Sequence, residues 1–143
     1  MVVAWVALGV SLLSLSVNYL GYRRLKSQDL TGARTGLLSE LGEIQVLIGT
    51  ARDALYEADL LLGREDGGNV LVGAARRRIS QQRTEVEAMS ADLETLYREN
   101  ESLNSLDRAQ RLLPLVGRLK GEAKSIASMA YEIKDSVSKA REA

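Results

Sequence analysis

The side chains closest to doing chemistry are carboxylates. Asp53, Glu57 and Asp59 stand at helical spacing, and Glu85 and Glu87 form a second group. Paired carboxylates can serve as general acid and base, or hold a metal in a helical bundle. A di-metal bundle site also needs Glu-x-x-His on two helices, and the chain has no histidine. With no cysteine either, thiol nucleophiles, thiolate or imidazole metal sites and disulfides are excluded. Serines and tyrosines are plentiful, but no partnered base stands ready to activate them. Residues 63–68 lack the Gly-x-x-x-x-Gly-Lys-Ser/Thr pattern of a phosphate loop, and no Asp-x-Asp-x-Asp-Gly calcium loop occurs. The expectation is no catalytic residue, no metal and no cofactor.

Basic residues offer binding instead of catalysis. Arg23, Arg24 and Lys26 cluster behind an apolar stretch, and Arg76, Arg77 and Arg78 form the one basic run beyond it. The second run is a candidate patch for an anionic partner, weighed against a solvated helix face. Lys+Arg and Asp+Glu are both 19, so no bulk field favours a polyanion. There is no phenylalanine, and the few tyrosines make no stacking platform, so nucleic acid is not an expected partner.

Residues 1–22 carry no charged side chain, a run long enough to cross a bilayer as a helix. Trp5 near one end and Tyr19 and Tyr22 near the other suit an aromatic belt. A cleaved signal peptide fits less well, because the charges follow the apolar run and no small-x-small site closes it. A buried soluble helix is the other rival. We read residues 1–26 as a single-pass anchor with a basic flank. The positive-inside rule then places the rest of the chain in the cytoplasm. Ala4, Ala7, Ser11, Ser14 and Asn18 fall on one stripe of this helix, a candidate face for self-association in lipid.

Residues 27–35 are expected as a hinge, since Ser27, Asp29 and Thr31 can cap and Gly32 weakens a helix, although the chain can also run straight on. Gly32 and Gly36 share a Gly-x-x-x-Gly spacing, read as close helix packing.

Residues 36–143 read as a helical bundle. Leu37, Leu41, Ile44, Ile48, Ala51, Leu55, Ala58 and Leu62 alternate by four and three, a heptad seam. Leu47, Ala54 and Leu61 widen it, which suits three or more helices. Residues 63–69 are a turn by composition. A second seam runs through Val72, Ala75, Ile79, Gln82, Val86, Met89, Leu93, Leu96 and Asn100, with Asn100 read as the helix end. A third runs through Leu112, Val116, Leu119, Ala123, Ile126, Ala130, Ile133, Val137 and Ala140. Helices are expected over 36–62, 70–100 and 105–141, with a kink or restart at Pro114.

The fold class is therefore all-α: an N-terminal transmembrane helix followed by a three-helix antiparallel bundle. Its far tip would collect Arg64, the 76–78 run, Lys139 and Arg141. The function expected is a membrane-anchored scaffold or interaction protein that self-associates, with lipid and a protein or its own copy as partners. A pore-forming or lysis-type protein is the alternative, motivated by the small-residue stripe. A homomeric subunit of a larger envelope complex is the third reading.

Overall fold

The computed structural model describes the backbone of residues 2–63 and 70–142, and the side chains of residues 28–63 and 72–140. Three helices follow in order: α1 (Val2–Gly63), α2 (Val70–Glu101) and α3 (Leu106–Glu142). No strand occurs among the described residues.

All eight members of the first seam are buried, Leu41, Ile44, Ala51, Leu55 and Ala58 completely so. Opposite them lie Val72, Ile79, Val86, Met89, Leu93 and Leu96 of α2. Leu112, Val116, Leu119, Ala123, Ile126, Ala130 and Ile133 of α3 close the core. The heptad spacing is the cause: a 3.5-residue period keeps one stripe of each helix facing its neighbours. The α3 seam loosens at its end, with Val137 half-buried and Ala140 exposed.

Cross-helix bonds set the direction of each element. Arg52 Nη2 meets Glu87 Oε1 at 3.0 Å and Ser90 Oγ at 3.1 Å, and Arg83 pairs with Asp59 at 3.1 Å. Tyr97 donates to Gln45 Oε1 at 3.2 Å. As α1 advances, its partners on α2 recede, so the two are antiparallel. Lys120 pairs with Glu40 and Glu43, and Lys134 with Glu57, so α3 runs parallel to α1. The order is up, down, up. α1 packs more extensively on α3 than on α2. Buried alanines on both helices contribute, because Ala51, Ala54 and Ala58 of α1 and Ala123, Ala127 and Ala130 of α3 are small enough to let packed helices approach.

Several expectations are corrected. Residues 27–35 are helical and continuous with α1; Thr35 Oγ1 bonds back to the Thr31 carbonyl at 3.0 Å instead of opening a hinge. α3 is one helix through Pro114, whose exposed ring needs no restart. Ser105 caps it, accepting from the Arg108 N–H at 3.4 Å. Asn100 is more than a helix end: it is 1% exposed, and its Oδ1 has no partner among the described residues. Gln82 Oε1 is likewise buried and unpartnered, while its Nε2 donates to Glu85 Oε2 at 3.1 Å. Gly32 and Gly36 do not serve close packing within the chain, since an added Cβ at either meets nothing within 4 Å.

The bundle uses only the distal part of α1. Core burial begins at Leu37, with Ala33 packed at its edge. From Leu37 the helix backbone extends to Val2, about 53 Å at 1.5 Å per residue. No helix among the described residues is long and apolar enough to cross a membrane. The anchor stretch itself, residues 1–26, lies outside the described side chains.

Adjacent residues on α1 make a clean test of which face carries the fold. Leu55→Ala is expected to destabilise the bundle by about 2–5 kcal/mol in denaturant titration, through lost burial and a residual cavity. Tyr56→Ala, at an exposed position, should cost within about 0.5 kcal/mol.

Candidate functional site

Arg76, Arg77 and Arg78 occupy the start of α2, and all three are exposed. Successive residues step by about 100° around a helix, so the three guanidinium groups spread over the outward side of α2. Arg76 turns towards α1 and its Nη2 donates to the Leu62 carbonyl at 3.2 Å. That carbonyl belongs to the last turn of α1, where backbone acceptors lack helical partners and the macrodipole is negative. Arg76 therefore has a structural task, capping the end of α1, beyond the partner patch or solvated face that its sequence suggests. Arg78 lines a shallow groove with Ala75, Glu132, Ile133 and Val137 of the α2–α3 seam. Arg77 and Arg78 have no ion pair among the described residues. The proposed companions at this tip, Arg64 and Arg141, lie outside the described side chains, and Lys139 is bound to Asp135 at 2.6 Å.

The carboxylates that looked chemically capable are divided between salt bridges. Asp59 is held by Arg83, Glu87 by Arg52 and Glu57 by Lys134. Among the described residues no group of three or more acidic side chains could hold a metal ion. Grooves between α2 and α3 are open and mixed in character; the one beside Leu96, Leu115 and Leu119 is rimmed by Asp92, Glu99, Arg118 and Glu122. Nothing in them converges on a point where a reacting atom could sit.

The most developed electrostatic feature is one the sequence did not disclose. Lys120 reaches across from α3 to both Glu40 and Glu43 at 2.6 Å. Its side-chain hydrogen bonds to Glu40 and Glu43 raise its pKa, and the bond to Lys120 holds the Glu43 carboxyl below its ordinary value. Glu57 raises Lys134 in the same way. These bonds fix the parallel register of α1 on α3, but they join residues 80 apart, which no local pattern reveals.

The outward side of α1 was also missed. Leu38, Val46, Tyr56 and Leu60 are large, apolar and about half or more exposed. Part of the signal was present, since Val46, Tyr56 and Leu60 fall on one alternation by four and three, although Leu38 does not. The membrane-side candidates Ala4, Ala7, Ser11, Ser14 and Asn18, and the flank Arg23, Arg24 and Lys26, lie outside the described side chains. Comparison with family models, with characterised proteins and with solved structures finds no match to this chain.

The α1–α3 clamp has a pH signature. A depressed Glu43 contributes stability above its ordinary value of 4.5 that is lost as the pH falls through its lower folded value. A raised Lys120 contributes stability below 10.5 that is lost as the pH rises through its higher folded value. Thermal melts across pH should show both limbs, and Lys120→Met should flatten each. Limbs unchanged in that variant would refute the clamp's role.

Proposed function

We propose that this protein is a membrane-anchored helical scaffold that acts by binding its own copy or a protein partner, without catalytic activity. The observation that carries the reading is the uncharged run of residues 1–22, followed at once by Arg23, Arg24 and Lys26, at the head of the helix that builds the bundle. A single span anchors effectively irreversibly, whereas a peripheral helix does not. The basic flank puts the bundle on the cytoplasmic side. Support for an interaction role comes from Glu57, Asp59 and Glu87, which are held in inter-helix salt bridges, and from apolar residues left on the outer side of α1.

Full-length protein is expected to sediment with membranes, to resist extraction at high salt and alkaline pH, and to enter solution only with detergent. Unprocessed chain remaining in the supernatant without detergent would overturn the anchor.

A further inference from the structure

Every buried polar side chain among the described residues belongs to α2. Gln82 is 7% and Asn100 1% exposed, and the acceptors Gln82 Oε1 and Asn100 Oδ1 have no partner among the described residues. The described side chains of α1 and α3 show no such group. A buried acceptor that meets no donor disfavours the closed arrangement about tenfold, relative to one in which water reaches it. One of the two stands near the middle of α2 and the other at its end.

α2 is also the least embedded of the three helices. Among the described residues it supplies six buried apolar side chains, against nine from α1 and nine from α3. α1 and α3 pack most extensively on each other, while α2 packs less on α1 and least on α3. Open grooves follow the α2–α3 line, from Arg78 and Ile133 through Met89 and Ile126 to Leu103 and Leu112. What ties α2 to α1 is largely peripheral. The side chains of the Arg52–Glu87 and Arg83–Asp59 pairs are each 42% or more exposed. Arg34 donates to the Glu101 carbonyl at 3.1 Å in an exposed position, and the Arg76 bond to the Leu62 carbonyl is partly buried. Exposed pairs contribute little. Lys120, which ties α3 to α1, is 21% exposed and holds two carboxylates.

We propose that α2 opens from the bundle as a unit while α1 and α3 stay paired. Proteins open in contiguous cooperative units, and the unit with the fewest buried apolar contacts opens first. α2 is joined to its neighbours through residues 63–69, three of them glycine, and through the non-helical residues 102–105. Its departure therefore changes dihedral angles outside the three helices. Opening returns Gln82 and Asn100 to water and bares part of the apolar column of α1, a surface that the closed bundle does not present. The inference concerns contacts within the bundle and stands apart from the anchor.

Native-state hydrogen exchange of the full-length chain, read by mass spectrometry in whichever fraction holds it, tests this. The slowest amides of α2 are expected to exchange as a group, about tenfold or more faster than the slowest of α3 and of residues 37–62. One common rate for the slowest amides of all three helices would mean that α2 leaves only when the chain unfolds, and would overturn the proposal. Ala127→Gly weakens α3 as a helix, and should speed the slowest amides of α1 and α3 about fivefold while leaving those of α2 unchanged. Equal acceleration in all three helices would overturn it. Asn100→Leu and Gln82→Leu remove the unmet acceptors, and each should slow α2 about tenfold. Slowing in neither variant would overturn it too.

Discussion

Leu37, Leu41, Ile44, Ile48, Ala51, Leu55, Ala58 and Leu62 make an apolar column on α1 against which both other helices are laid. A helix of 62 residues cannot be held by its own backbone hydrogen bonds alone in water, so the burial of this column is what makes the distal half of α1 a fixed element. α2 is laid down antiparallel and α3 returns parallel, and α1 packs more extensively on α3 than on α2. The ion pairs of Lys120, Lys134, Arg52 and Arg83 sit at the rims of these interfaces. They select register more than they add stability, since exposed pairs contribute little.

That division of labour leaves α1 with a core side and a free side over the same stretch of chain. The core side is specified by Leu, Ile and Ala. The free side mixes glycine with the exposed Val46, Tyr56 and Leu60. The basic residues at the start of α2 belong to the bundle's own construction at Arg76, which satisfies the end of α1, and only Arg77 and Arg78 remain open to a partner. Among the described residues, Glu57, Asp59 and Glu87 are divided between separate salt bridges and do not meet in one cluster.

Much of the fold was legible because its signals are periodic. Leu37 to Leu62 and Leu112 to Ile133 could be read as seams because burial follows a 3.5-residue repeat, and residues 63–69 could be read as a break from glycine content. At residues 27–35 both a hinge and a straight course were open, because Ser27, Asp29, Thr31 and Gly32 are weak local signals; the backbone there is helical. A helix that is already nucleated on both sides overrides them. Asn100 does lie at the end of α2, one residue before Glu101, and its place in the heptad also puts it inside. The Lys120 clamp was illegible because it depends on tertiary register. The exposed apolar residues of α1 were legible in part: Val46, Tyr56 and Leu60 fall on one alternation by four and three, but Asp53 interrupts it and the stronger inner pattern drew the reading to itself.

The central claim is that the apolar column of α1 lays α2 down antiparallel and α3 parallel. Paired cysteines in the cysteine-free chain test this most directly: Arg52→Cys with Glu87→Cys across α1 and α2, and Glu57→Cys with Lys134→Cys across α1 and α3. The account predicts that a short bifunctional thiol reagent joins both pairs within one chain. Folded chain in which neither pair is joined would contradict it.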